Sequence, residues 1–495
     1  MFLFLVSETG VLNPVDFKKW RPRWGGSWWI GLALFVLAGG GMPVSHPVQA
    51  QVRPAETLAS PNAEPGGAFG HAGARIGDVN GDGAADFVVG APGETVQDSS
   101  SAGRVYLFSG ASGDLLRRLE SPTPREDAEF GEAVAGIGDV NGDGVPDVLV
   151  GVSNARVDGT PLAGRVHLIS GADGRRLRTL TSPNMEENGA FGDAVAGIAD
   201  LNGDGGPEVV VGAPVESVNG LHQAGRVYII SGTDGRLIRR LQAPTPKKEA
   251  SFGRAVSPAG DVDGDGTPDV IVGAQTETVQ DSSRAGRAYV VSGTDGTVVK
   301  ALQSPNVDAG GHFGGAVAGV GDVSGDGRPD VMIGGDREGT TTGSRGRAYL
   351  FSGKKGTLKQ TIGPGASRIS GSNASSEGLG SSIARGRNAA GGEGPDVFLG
   401  ADRAMVGDKE EAGKVFLIDG ETGTPRQTLK SPNAEGYKPG MMAGNEGSRF
   451  GRFVANIGDV NGDGRPDVLI GADGENVDGH DAAGRAYVFT SSTEN

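Results

Sequence analysis

One interval governs this chain. Phe-Gly recurs at Phe69, Phe130, Phe191, Phe252 and Phe313, 61 residues apart each time, and returns at Phe450. A degraded copy starts at Leu379-Gly380, with spacings of 66 and 71 on its two sides, which makes seven copies. A repeat sustained over most of 495 residues predicts one fold of mutually supporting units, because a single unit cannot bury its apolar surface alone. Glycine accounts for 89 residues and long helical apolar patterns are scarce, so the units should be short strands joined by tight turns.

The second copy shows the parts. Phe130-Gly131 leads into a short strand, Ala133 to Ile137, and then a loop of Asp, Asn and Gly from Asp139 to Asp147. Val148-Leu149-Val150 is a continuous apolar run, which predicts a strand buried on both faces. After a variable loop, Gly164 to Gly171 reads as an alternating outer strand, Gly171 to Gly174 as a turn, and Leu177 to Leu180 as a fourth strand closed by Ser182-Pro183-Asn184. Four such strands describe one propeller blade. The Gly-Arg pattern at Gly103, Gly164, Gly225, Gly286 and Gly484 is read as close backbone packing, not as a binding motif.

The ends of the repeat array predict closure. The last copy stops after its third strand, Gly484 to Thr490. Thr57 to Asn62, ahead of the first Phe-Gly, matches the fourth-strand endings Thr179 to Asn184 and Thr428 to Asn433. The N-terminal segment is therefore expected to complete the seventh blade, which removes exposed sheet edges. The expected fold is all-β: a seven-bladed β-propeller over 51–495, its blades starting near 69, 130, 191, 252, 313, 379 and 450.

Each Asp-rich loop reads Asp-x-Asn/Asp/Ser-x-Asp-Gly-x-x-Asp/Glu. The candidate ligands are Asp78, Asn80, Asp82 and Asp86; Asp139, Asn141, Asp143 and Asp147; Asp200, Asn202, Asp204 and Glu208. They continue as Asp261, Asp263, Asp265 and Asp269; Asp322, Ser324, Asp326 and Asp330; and Asp459, Asn461, Asp463 and Asp467. Oxygen side chains at alternate positions of a tight loop can turn toward one point, and Ca²⁺ takes roughly six to eight oxygens at 2.3–2.6 Å. The six loops hold 19 carboxylates, which repel one another without a cation. Bare Asn-Gly or Asp-Gly turns would explain one copy, but six with the same spacing favour about six Ca²⁺. The loop is like an EF-hand loop only locally, since strands flank it and position nine supplies the last acid. In the sixth copy an ungapped alignment puts Asn388, Ala390 and Gly392 at positions one, three and five, leaving Asp396. With Arg385 and Arg387 nearby, that blade is expected to bind no metal.

The first fifty residues are expected to lie outside the propeller. Lys18, Lys19, Arg21 and Arg23 precede an apolar run from Trp28 to Ala38, then Val48-Gln49-Ala50. That is the layout of a secretory signal peptide cleaved near Ala50, and the run is short of the roughly 20 residues of a spanning helix. The rival reading is an uncleaved anchor. The net charge of -16 argues against nucleic acid, whose phosphates need basic patches. Cysteine is absent, so no disulfide or thiolate chemistry is available.

Phe69-Gly70 with Gly90-Ala91-Pro92, and Phe191-Gly192 with Gly212-Ala213-Pro214, each enclosing an Asp loop, resemble FG-GAP repeats, the blades of the integrin α-subunit propeller. The resemblance covers roughly 57–490 and implies calcium between the first two strands of a blade. It also implies ligand binding on the opposite face, here Glu94–Ala102, Asn154–Ala163, Val215–Ala224, Thr276–Ala285 and Val477–Ala483, with the insertions Gly363–Glu377 and Glu435–Ser448. The expected function is a secreted, calcium-binding adhesion or ligand-binding module for an extracellular protein or glycan, with no stable membrane insertion of the mature chain. The alternatives are a secreted lyase- or lipase-type enzyme with its site at the propeller axis, and a structural surface or matrix component. No G-x-S-x-G, H-E-x-x-H or P-loop is present, and His71, His167, His222, His312 and His480 are scattered singly. An enzyme should bring acids, or a histidine and an acid, together from different blades outside the metal loops.

Overall fold

The computed structural model describes residues 51–339, 346–363, 378–386, 389, 395–436 and 447–492, with 4–5 and 13–14. The chain divides into two units, Met1–Pro47 and Val48–Asn495. In the first, Phe4–Leu5 pairs antiparallel with Asn13–Pro14; the rest of the expected leader lies outside the described residues. Among the described residues there is no helix, and so none long and apolar enough to cross a membrane.

The second unit is a ring of seven four-stranded antiparallel sheets. In the second blade the strands are Ala133–Gly138, Asp147–Val152, Arg165–Ile169 and Arg176–Thr181, paired in chain order. The first strands of successive blades touch in turn, and that of the seventh blade touches that of the first. The seventh blade is completed from the other end of the repeat array: Gln51–Ala59 pairs with Arg485–Ser492, from Gln51 opposite Ser492 to Ala59 opposite Arg485.

The apolar core is divided among seven clusters, each drawn from two neighbouring blades, the seventh and first included. This explains the burial along each strand. The second strand is buried at every residue, as its unbroken apolar run predicts. The third strand departs from the expected alternation: Arg104–Phe108 is buried throughout and Arg165–Ile169 nearly so. Both middle strands are covered by blades on either side, so an alternating polar face would have nowhere to reach water.

The repeat's signature residues sit at the joints. Phe69, Phe130, Phe191, Phe252, Phe313 and Phe450 are wholly buried. Phe130 packs its ring against His167 of its own blade, while its N–H donates to Ala102 O of the preceding blade at 3.0 Å. The glycines follow from the same crowding. A Cβ on Gly90 would run into the carbonyl oxygen of Gly131 in the next blade, and Gly103, at φ 84°, lies against the backbone of Phe130.

Candidate metal centres

Every Asp loop joins the end of a first strand to the start of a second, so the loops share one face of the ring. Within a loop the first acid organises the backbone. Asp78 accepts from Gly81 N at 2.7 Å and Gly83 N at 2.9 Å, and Asp200 accepts from Gly203 and Gly205 at the same distances. At position three, Asn80 Oδ1 accepts from Asp82 N at 2.8 Å and Asn141 Oδ1 from Asp143 N at 2.8 Å. The ninth residue opens the second strand and ties the loop to the turn before the fourth strand. Asp147 accepts from Val140 N at 2.9 Å and from Gly171 N at 3.1 Å.

Three loops draw carboxylates together. Asp200, Asp204 and Glu208; Asp261, Asp263 and Asp265; and Asp322, Asp326 and Asp330 each bring one oxygen per residue within 4.8 Å of one another. In the first, second and seventh blades no such trio forms among the described residues, and Asp78, Asp139 and Asp459 are engaged by their own loop amides. In the fourth loop Asp269 faces the Val262 and Gly293 amides instead of the trio, and the Arg328 guanidinium of the next blade lies 3.3 Å from Asp261.

These residues fit a hard divalent cation. Oxygens of one calcium shell lie up to about 5 Å apart across the ion, the span of the trios. Burial pushes Glu208 up to about 7, and Asp147, Asp269 and Asp467 up to about 6, with neighbouring acids adding to the rise. Glu208 Oε1 is buried with no hydrogen-bond partner. Such groups stand to gain from a positive charge.

The sixth blade has a different solution. Asp396 is fully buried, and Arg426 Nε lies 3.0 Å from its Oδ1 while Nη2 lies 2.6 Å from Asp419. A guanidinium thus faces the surviving acid of the degraded loop. Asn388, Ala390, Gly392 and Arg387 lie outside the described residues, and Arg385 ends the first strand.

The opposite face is built as regularly. The loop from second to third strand holds a small hairpin, with Val96 bridged to Ser99 and its counterparts Val157 to Thr160, Val218 to Leu221 and Val279 to Ser282. Three of the segments expected to bind ligand hold a glutamate that faces inward: Glu94 and Glu216 have no exposed surface and Glu277 is 1% exposed, and Glu338 and Glu475, at the same place in blades five and seven, are as fully buried. Each accepts from a third-strand tyrosine: Tyr106 at 2.6 Å, Tyr228 at 2.5 Å and Tyr289 at 2.6 Å, with Tyr349 and Tyr487 placed alike. Arg104, Arg226 and Arg485 stand 3.1, 3.3 and 3.6 Å from their glutamates. The sequence carries the signal: Glu216, Glu277 and Glu338 are 61 residues apart, and Glu94 lies two such intervals before Glu216.

Where first strands begin and second strands end, in blades four to seven, a cavity of about 670 Å³ opens among Arg254, Arg337, Arg403, Arg449 and Arg452. Acids from neighbouring blades answer them: Arg403 is 2.5 Å from Asp336, and Arg254 pairs with Asp193. Nearby, His71 of the first blade lies 2.9 Å from Asp473 of the seventh, so this histidine is not isolated. Arg449 and Arg452 also face Asp473, and with His71 they hold its carboxyl down at about 2 against the effect of burial.

Comparison with known proteins agrees with this architecture. The FG-GAP repeat model matches residues 69–108, 130–169, 191–230, 252–291 and 450–489. Among curated relatives, integrin alpha-2 of Bos taurus is 32% identical over 204 residues, covering 39% of this chain and 17% of the relative. Integrin alpha pat-2 of Caenorhabditis briggsae is 28% identical over 273 residues, covering 49% and 22%. Integrin alpha-5 of Xenopus laevis is 32% identical over 211 residues, covering 40% and 19%. The matches thus span about a fifth of the length of those relatives. The blades without a model match are the fifth, with Ser324 in its loop and Gly334-Gly335-Asp336 after its second strand, and the sixth, whose Asp loop is degraded. The chain is thus a seven-bladed β-propeller with FG-GAP repeats in five of its blades, and over those repeats it is similar to integrin α-chains.

Proposed function

We propose that this chain is a secreted, calcium-binding propeller that holds an extracellular protein or glycan on the face opposite its Asp loops, after removal of residues 1–50. The observation that carries the reading is the convergence of acids on one face, three loops with oxygens within 4.8 Å, while the other face carries loops and a charged cavity. The likeness to integrin α-chains over their FG-GAP repeats supports the same division of labour. About six Ca²⁺, one for each loop except that of the sixth blade, would join first strand, second strand and turn within each blade. The ion supplies charge neutralisation and a fixed shell of oxygens. The chain's own residues supply the rest: Asp147 and its counterparts anchor the loop to the blade, and the glycine amides set its curvature.

Excess chelator should lower the melting temperature markedly, and added calcium should restore it. An unchanged melting curve would remove the structural role of the metal. A binding screen against extracellular proteins and glycans, with and without calcium, addresses the ligand; loss of hits on substituting loop-face residues is the expected outcome.

One observation favours a second reading. His71 and Asp473 form a histidine–acid pair from different blades outside the metal loops, as an enzyme at the axis would require. Hydrolytic or lyase activity that is abolished by His71→Ala without loss of stability would favour it over the binding module.

A further inference from the structure

The buried glutamate of the loop face is missing from the second blade. Its position is Ala155, 61 residues after Glu94, and the tyrosine position is His167. The groups that serve the glutamate elsewhere are still there. The Ser60, Ser182 and Ser431 hydroxyls donate to their glutamates, whereas the Ser121 hydroxyl accepts from Thr123 N at 3.3 Å and meets no carboxylate. Arg165 occupies the place of Arg104 and Arg226, yet its Nε is buried without a partner, and only its Nη2 is engaged, by Arg156 O at 2.5 Å. His167 is fully buried and its Nε2 is also unpartnered.

A cavity of about 510 Å³ occupies this place, lined by Arg125, Arg156, Arg165, Ser121 and Ala155. Among the described residues, none of its three arginines lies within ion-pair distance of a carboxylate. Glu126 and Asp127 also line it, so its wall is basic by one charge on a chain whose net charge is -16. At its edge Leu162 is 42% exposed at φ 50°, at the loop position where other blades carry Ser101, Gln223 and Arg284, also at positive φ. A large apolar side chain held outward on such a backbone favours contact with something other than water.

We propose that this cavity is a carboxylate-binding site that accepts a glutamate side chain of a protein partner in place of the glutamate the blade lacks. Arg165 would pair with the carboxylate as Arg104 does with Glu94, Ser121 would donate to it as Ser60 does, and Leu162 would cover an apolar neighbour of the incoming residue. The vacancy favours glutamate because five other blades fill the same place with that side chain. An anionic group excluded by the chain's overall charge is admitted only where arginine is unpaired.

The site rests on the reading of this face as the ligand face. The test uses the full chain and two acetylated tetrapeptides, each with a leucine next to either a glutamate or a glutamine, followed by titration calorimetry or NMR shifts. The glutamate peptide should bind at least about tenfold more tightly than its glutamine twin. Ala155→Glu, which supplies the missing carboxylate internally, should weaken peptide binding by a similar factor while keeping or raising the melting temperature; Arg165→Gln should weaken it as well. Equal binding of the two peptides, or glutamate binding untouched by Ala155→Glu, overturns the site. So does a cavity that takes an oligouronate and ignores the peptide. If the peptide arms fail while the broader screen still returns loop-face ligands, the pocket alone is wrong; an empty screen with positive peptide arms instead rejects the broader reading.

Discussion

At the scale of single residues, the buried polar groups separate scaffold from site. Tyr106 donates to the buried Glu94, whose carboxyl is pushed up by burial while the Tyr106 hydroxyl is pushed up by burial and by that acid. Tyr106→Phe leaves a buried carboxylate short of a donor and should cost about 1.5–3 kcal/mol in denaturant unfolding. Ser121→Ala, where no carboxylate waits, should change stability by no more than about 0.5 kcal/mol. His167 makes a pH prediction. Burial, reinforced by Arg165 and Arg176, lowers it to about 4, so the folded chain resists a proton that the unfolded chain takes up near 6.5. As pH falls from 6.5 to 4 the unfolded state therefore binds more protons, and stability drops across that window, on the order of 3 kcal/mol in full. His167→Phe should remove that part of the acid limb, seen as a variant that gains on the parent as pH falls. A slope identical in both proteins would show that the histidine does not titrate as described.

At the scale of elements, the loops and strands differ in how openly the sequence declared them. The second strand was legible because its apolar run is unbroken. The third was not, because Arg165 and His167 look outward-facing until the neighbouring blade is in place. The Asp loops were legible as a spacing, but which of them converge depends on side-chain directions that spacing does not encode: Asp261, Asp263 and Asp265 meet while Asp269 turns to backbone amides. The sixth blade was expected to lack metal, but the role of Arg426 was hidden because it comes from the fourth strand, 30 residues beyond Asp396. Arg426→Gln strips the charge from a buried pair and should cost about 3–5 kcal/mol. Unlike the loss proposed on chelation, this one should not be recovered by raising calcium, which differential scanning calorimetry can read.

For the whole molecule, closure follows from the repeat and from the match of Thr57–Asn62 to the fourth-strand endings, both legible in the chain. The length of the closing pair was not, since Gln51 to Ala59 pairs from end to end with a bulge between Pro54 and Glu56. Because the seventh and first blades share one apolar cluster, deleting residues 51–59 exposes both the last strand and part of that cluster. The deletion should lower the melting temperature well below that of the parent and raise aggregation through the freed edge. A truncated chain that melts with the parent would contradict the ring.

The geometry of that clasp also sets how the ring meets force. Gln51 and Ser492 are opposite each other at one end of an antiparallel pair. A pull applied between them loads the hydrogen bonds one rung at a time, as in a zipper, instead of shearing all of them together. Tension across this junction would peel the clasp apart, whereas tension on a loop of any other blade would meet strands locked on both sides.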